Sequence, residues 1–202
     1  MSRSHPTKLT LISTVVDLLD EKVPEDIRSE DVLERSGISK GSLYHHFKDF
    51  SDLINAALVL RFAREVDFNI EIISKTLIHA RTEEELFQGI AQVSNATQKT
   101  ESKGIRFERA RVLALSEGNP KMAKELAQEQ DRLTEAVIDL IQESINKGFI
   151  KADINPRAAA VFVQAYSLGK VVDDIAGVRV DHDEYMKLID YVLRSSFGAS
   201  QP

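Results

Sequence analysis

Apolar residues recur every three or four positions along most of the sequence, and this helical spacing limits the possible folds more than any other feature. One long series consists of Met122, Leu126, Leu133, Val137, Leu140 and Ile145. No stretch alternates apolar and polar residues as a strand would, and only nine glycines and five prolines interrupt the 202 residues. The sequence therefore predicts an all-α protein of about nine helices.

Capping residues and helix-breaking pairs indicate where these helices begin and end. Ser39 and Thr82 have the position and chemistry of N-caps, as does Asp49 or Ser51 for the helix between them. Asn155 precedes a proline at the first turn of another helix. The predicted helices cover residues 8–22, 29–35, 39–46, a long stretch from 49 or 51, 82–99, 105–116, a stretch ending at 147, one opening at 155, and a last one from 183.

Residues 36–53, with the sequence SGISKGSLYHHFKDFSDL, differ in charge from the rest of the chain. The whole sequence has 32 acidic and 26 basic residues and a formal net charge of −6, yet no acid occurs from residue 36 to residue 48. The two short helices that meet at Gly37 predict a helix-turn-helix. A duplex presents a dense row of phosphates, so a face without acids is suited to DNA. Charge alone leaves a solvated basic helix as the alternative.

The second short helix has one outward and one inward face. Lys40, Tyr44 and Lys48 lie four residues apart and form an outward stripe, whereas Leu43 and Phe47 are placed to pack on the preceding helix. The N–H groups at the start of this helix favour a phosphate. We expect Lys121, which is distant in sequence, to lie away from this surface.

The segment DVLERSGISKGSLYHHFKDFSDLI, residues 31–54, resembles the DNA-binding segment of tetracycline-repressor-type (TetR family) transcriptional regulators. The similarity runs from about residue 9 to residue 58, and residues 37–48 are its most specific part. It implies a helix-turn-helix DNA-binding domain in residues 1–50 and a helical effector-binding and dimerisation domain in residues 51–202. By resemblance, bases or phosphates are approached by Ser39, Lys40, Gly41, Ser42, Tyr44 and His45, and Lys48, at the start of the following helix, holds backbone phosphate.

The sequence departs from the family pattern at three places. Val23-Pro24 replaces the glycine and aromatic residue that usually end the first helix, and we expect a different corner with the same outcome. Arg28 stands where a small hydroxyl residue usually caps the second helix, so we expect the cap to move to Ser29 and Arg28 to add a phosphate contact. Phe50 occupies a position that is more often polar, and the sequence offers no account of it.

The C-terminal part of the chain matches the family only in helix number, order and length. By resemblance, its last two helices pair with those of a second copy in a homodimer. Ordinary core packing would show the same spacing. The candidate interface residues are Val161, Leu168, Val172, Leu188, Val192 and Phe197.

A domain that senses a small molecule needs polar groups on otherwise apolar helix faces. Each such group could equally be buried and bonded to neighbouring backbone. The candidates for binding an unknown small-molecule effector are Asn69, Ser94, Thr97, Gln98, Gln130 and Gln164.

The chemistry of enzymes is poorly represented in the sequence. There is no cysteine, no phosphate-binding loop, no nucleophile elbow and no dinucleotide fingerprint, so we expect no cofactor and no bound metal. Asp173 and Asp174 are adjacent, as in some magnesium-dependent enzymes, but without a third carboxylate nearby they indicate a solvated helix end.

No apolar run is long enough for a membrane span and the start of the chain is polar, so we expect a cytoplasmic protein.

These observations favour a homodimeric transcriptional regulator, most simply a repressor, that binds an inverted repeat in double-stranded DNA and is released by a small molecule. Three alternatives remain open from the residues: a DNA-binding protein that senses nothing, a helical interaction module whose helix-turn-helix serves packing alone, and a helical metal-dependent enzyme. The sequence does not distinguish repression from activation and does not identify the operator, the effector or the regulated genes.

Overall fold

The computed structural model describes residues 6–200, apart from the side chains of residues 77 and 78. Within this range it contains nine α-helices of seven or more residues, one four-residue α-helix and no strand, so the predicted all-α class of about nine helices is confirmed. Residues 1–5 and 201–202, the outer ends of the two predicted domains, lie outside the described residues. The helices are α1 Pro6–Leu18, α2 Ser29–Ser36, α3 Lys40–His46, α4 Phe50–His79, α5 Glu83–Gln98, α6 Lys103–Ser116, α7 Pro120–Asn146, α8 Pro156–Gly169, α9 Val171–Asp174 and α10 His182–Phe197.

Side-chain caps begin most of these helices where the sequence places them. The side chains of Ser39, Asp49, Thr82 and Asn155 each accept a hydrogen bond from the backbone N–H three residues further on. The first helix ends at Leu18, earlier than predicted, because the N–H groups of Glu21 and Lys22 close a turn on the Leu18 carbonyl. The last helix begins one residue earlier than predicted.

The first three helices and the start of α4 share one core. Leu11, Val15, Val32 and Leu43 are completely buried in it, together with Leu53 from the first turn of α4. Phe50, the position without an account in the sequence, packs partly buried against the same core. The start of the long helix is therefore built into the helix-turn-helix unit.

The rest of α4 belongs to a second helical body. Phe62 and Val66 of α4 pack with Val112 of α6 and with Met122 and Leu126 of α7. Further along, α5, α7 and α8 enclose a third core, and α10 covers Phe87 of α5. Because α4 runs through both bodies, any change in its position reaches the helix-turn-helix unit.

A buried ion pair joins α6 to α9. The guanidinium of Arg106 donates to both carboxylate oxygens of Asp174 at 2.7 and 2.8 Å, and it also donates to the carbonyls of Thr97 and Lys99 at the end of α5. Arg106 is 5% exposed and Asp174 is 3% exposed. The interpretation of Asp174 as part of a solvated helix end is wrong, because its partner lies 68 residues away in the sequence.

Candidate DNA-binding surface and effector-binding residues

Helix α3, here called the recognition helix because the resemblance assigns its residues to DNA, is held in a fixed orientation by its ends and its inner face. Gly37 adopts the left-handed conformation, with φ of 67°, which lets the chain turn sharply after α2. Ser39 caps α3 by accepting the N–H of Ser42 at 3.3 Å. Leu43 and Phe47 are 0% and 2% exposed, as the spacing predicts. The opposite face of α3 is consequently turned to solvent.

The residues assigned to DNA by resemblance lie along one exposed segment. Tyr44 is 45% exposed although it is aromatic, which is unusual for a residue that only packs. Ser42 is half-buried. The other members are exposed: Ser39, Lys40, Gly41, Tyr44, His45 and Lys48. Arg28, expected to add a phosphate contact where the sequence departs from the family pattern, is also exposed but lies before α2.

Two local expectations about this surface are wrong. The N-cap of α2 is Arg28 and not Ser29, because the carboxylate of Asp31 accepts the backbone N–H of Arg28 at 3.0 Å and closes the turn without a hydroxyl cap. Lys48 does not start α4, which begins at Phe50 after the cap Asp49. Lys48 instead lies in the short link between the recognition helix and α4, where its side chain is exposed.

Lys121 lies beside this link, contrary to the expectation that it is remote. Its Nζ donates to Oδ1 of Asp52 at 2.7 Å, and Oδ2 of the same carboxylate accepts the backbone N–H of Lys48 at 3.4 Å. The contact joins the first turn of α7 to the first turn of α4. The sequence contains no signal for it, because the two charges are 69 residues apart.

Two of the proposed effector-binding residues meet in a polar network between α4 and α8. The amide of Gln130 donates to Gln164, and Thr134 accepts from both amides. Arg109 donates to Gln130 at 2.9 Å and to Glu65 at 3.2 Å. The sequence analysis missed Arg109, Glu65 and Thr134, although all three occur at helical spacing from apolar core positions.

The three other candidates on α5 lie in its second half, and two of them contact α8. Ser94 shares a 2.7 Å hydrogen bond with the hydroxyl of Tyr166, whose burial raises its pKa above the ordinary value of a tyrosine. The amide of Gln98 donates to the carbonyl of Ser167, while its oxygen is buried without a partner among the described residues. Thr97 bonds to the carbonyl of Ser94 within its own helix.

Asn69 is separate from both groups. It is half-buried on α4, and its side chain forms no hydrogen bond with the described residues. The six predicted residues are thus divided by the structure into one network, one α5 group and one isolated side chain.

A cleft of about 510 Å³ opens between α4 and α5, and it is lined by none of the six predicted residues. The two helices approach closely at Gly89, because this residue has no side chain. A Cβ atom at this position would lie only 2.8 Å from Thr76 Cγ2. The lining includes Ile72, Lys75, Thr76, His79, Gln88 and Gln92.

The last helices present an apolar face to solvent. Val161, Val172 and Leu188 are 54%, 73% and 56% exposed, whereas the predicted interface residues Leu168, Val192 and Phe197 are half-buried. Val172 belongs to the separate helix α9, because α8 ends at Gly169. Other exposed apolar residues in this part of the chain were not named by the sequence analysis: Phe162, Ile175, Val178, Val180 and Tyr191. Large apolar side chains exposed in this number favour an interface.

In the described part of the chain, no group of three or more histidine, cysteine, aspartate or glutamate side chains could hold a metal ion. Over the same part, no helix has the length and apolar character needed to cross a bilayer.

The described residues thus form a helix-turn-helix unit with a larger helical body behind it. No protein-family model matches the sequence, and the search of curated proteins found no match. Several solved structures share the fold over nearly the full length of both chains.

A protein from Mesorhizobium loti assigned to the TetR family of transcriptional regulators is 16% identical, with a TM-score of 0.70 over 98% of this chain and 100% of that chain. A TetR/AcrR-family regulator from Thermobifida fusca is 17% identical, with a TM-score of 0.60 over 94% and 97%. A regulator from Saccharomonospora viridis, solved in complex with choline, is 16% identical, with a TM-score of 0.67 over 95% and 97%. The chain therefore has the TetR-type fold, as the resemblance of residues 31–54 implies.

Proposed function

We propose that this protein is a homodimeric transcriptional regulator of the TetR family that binds an inverted repeat in double-stranded DNA and is released from it by a small molecule. The observation that supports this most directly is the exposed face of α3. Lys40 and Tyr44 are exposed on this face and Lys48 is exposed in the link that follows α3, while Leu43 and Phe47 are buried behind them. A cytoplasmic location follows from a role on chromosomal DNA.

The role of each exposed group follows from its chemistry. A lysine ammonium such as that of Lys48 suits a phosphate, because it is a compact charge on a flexible stem. Tyr44 and Lys40 project from the helix that would enter the major groove, where base edges present distinct donors and acceptors. Backbone contacts would set the register of the protein on the duplex, and base contacts would set its sequence preference.

Pairing of two copies through α8 and α10 would complete the binding unit. The exposed apolar residues Val161 on α8 and Leu188 on α10 support this. Two recognition helices related by a two-fold axis would read half-sites whose centres lie about 34 Å apart, one turn of the duplex, or somewhat more.

Effector binding would change the distance between the two recognition helices of the dimer. A ligand that binds better to a conformer with the wrong separation shifts the equilibrium away from DNA by its difference in affinity for the two states. The polar network of Gln130, Gln164 and Arg109 reaches from α4 to α8, which supports this region as the sensor.

A second candidate function is DNA binding without an effector. It is favoured by the way Gln130, Gln164 and Thr134 bond to one another. Polar side chains whose hydrogen bonds are already made to one another do not need a ligand as a partner.

Gel-shift titrations at several salt concentrations test DNA binding directly. The duplex is first selected from a random library by the wild-type protein. Lys48→Ala should weaken binding to this duplex and to unrelated DNA, and should reduce the salt slope by about 1.8 for two half-sites, or about 0.9 per lost phosphate contact. Tyr44→Ala should instead change which sequences are preferred, at about 1 to 3 kcal/mol for a good base contact.

Lys75→Ala is the matched control, because this exposed lysine lies about 40 Å along α4 from the recognition helix. It should change neither affinity nor salt slope. A Lys48→Ala protein that binds as tightly as wild type, with the same salt slope, would contradict the assignment of this surface to phosphates.

A further inference from the structure

The contact between Lys121 and Asp52 places a residue of the C-terminal helical body at the edge of the DNA-binding surface. Lys121 Nζ lies 2.7 Å from Asp52 Oδ1, and the Asp52 side chain is 25% exposed. The other carboxylate oxygen accepts the backbone N–H of Lys48, the residue proposed to hold phosphate. Asp52 therefore lies within one residue contact of the proposed path of the DNA backbone.

The charge of Asp52 opposes DNA binding unless it is cancelled. Partial burial acts to raise the pKa of Asp52, but the hydrogen bonds from Lys121 and from the backbone of Lys48 outweigh it, so the pKa is lowered. The bond to Asp52 in turn raises the pKa of Lys121. Both groups are therefore charged at neutral pH, and a bare carboxylate at this place would repel phosphate.

We propose that Lys121 is a positioning residue for DNA binding, which acts by neutralising Asp52 beside the phosphate-contacting link between α3 and α4. This inference rests on the proposed DNA-binding function. It assigns to α7 an electrostatic role at the DNA surface that is exerted through Asp52, although α7 lies outside the helix-turn-helix.

The position of Lys121 on α7 links this role to the control of DNA binding. The helix continues from Lys121 to Gln130, about 14 Å further along its axis, where the polar network begins. A movement of α7 relative to α4 that separates Lys121 from Asp52 would leave the carboxylate unpaired next to the DNA. Release from DNA would then have an electrostatic component in addition to a change in half-site separation.

The test is a double-mutant cycle on DNA binding, with the duplex selected by the wild-type protein. Lys121→Met should weaken binding by about threefold per half-site, or about tenfold for a dimer, as expected for one uncancelled charge near a phosphate in water. Asp52→Asn keeps an acceptor for the Lys48 N–H and should bind at least as tightly as wild type. In the Asp52→Asn protein, the further change Lys121→Met should have no effect.

Lys124→Met is the matched control, because it removes the same charge from an exposed position one turn along α7. Its affinity should stay within about twofold of wild type, as for a surface charge without a close partner. Thermal melting of all five proteins checks that each one is folded.

Three results would overturn the inference. If Lys121→Met and Lys124→Met weaken binding equally, the loss is a general effect of net charge and does not come from the contact with Asp52. A loss that persists in the Asp52→Asn background would show that Lys121 acts on DNA directly, and a weakened Asp52→Asn protein would show that the carboxylate itself is needed. If the wild-type protein selects no duplex at all, the proposed function fails as well, which is a distinct outcome.

Discussion

Removal of the negative charge from Asp174 should destabilise the protein more than any surface change. Asp174→Asn preserves the shape of the side chain but leaves the Arg106 guanidinium, which is 5% exposed, without its counter-charge. Breaking a buried pair by removing one partner typically costs about 3 to 5 kcal/mol of unfolding free energy. The carbonyls of Thr97 and Lys99 remain as acceptors, so we expect the lower end of that range.

The loss can be measured by thermal and urea denaturation at one protein concentration. For a chain of this size, about 3 kcal/mol corresponds to a melting temperature lower by about 6 to 12 °C. Glu184→Gln is the control, because Glu184 and Lys187 form an ion pair whose side chains are 69% and 71% exposed. Breaking that exposed pair should cost less than about 1 kcal/mol.

The effect should also depend on pH in a defined direction. The hydrogen bond from Arg106 holds the pKa of Asp174 below its ordinary value. A carboxyl whose pKa is lowered by folding contributes its stability above the unfolded pKa, about 3.9, and loses it as the pH falls towards the folded pKa. The difference between wild type and Asp174→Asn should be constant from about pH 5 to pH 8 and should shrink below about pH 4. A difference under 1 kcal/mol at pH 7, equal to that of the control, would refute this reasoning.

Three further predictions concern the turn, the dimer and the effector. Gly37→Ala should lower the unfolding free energy by about 1 kcal/mol, because alanine is strained at a φ of 67°, and an unchanged urea midpoint would contradict this. Leu188→Glu should shift the sedimenting species from about twice 22.6 kDa towards the monomer, while Leu9→Glu on α1 should not; a wild-type monomer at micromolar concentration would count against the dimer. Gln130→Leu and Gln98→Leu should weaken the DNA release caused by a ligand found in thermal-shift screening, and a full response from both variants would remove these residues from the sensor.

The parts of the structure that the sequence predicts are governed by short-range interactions. Ser39, Asp49 and Thr82 are N-caps because each side chain bonds to an N–H only three residues away. The inward placement of Leu43 and Phe47 follows equally from a spacing of four residues. Even Arg28, where the predicted cap is wrong, is decided locally by Asp31 at the third position of the helix.

The sequence shows polar residues that interrupt apolar helix faces, but it does not show how these residues are grouped in space. Gln130 and Gln164 are brought together by the packing of α7 on α8, whereas Asn69 is left apart from both. The apolar periodicity of one helix predicts which of its faces is buried. It does not predict which residue of a neighbouring helix packs against that face.

The sequence by itself determined the helical class, most helix ends and the exposed face of the recognition helix, because those features depend on contacts within about one turn of the chain. The tertiary structure alone decided that Asp174 is buried against Arg106 and that Lys121 pairs with Asp52. These pairs join residues 68 and 69 positions apart, and their geometry is set by how whole helices pack. Long-range charge pairs leave no periodic trace in a sequence, so they become visible only when the helices are placed.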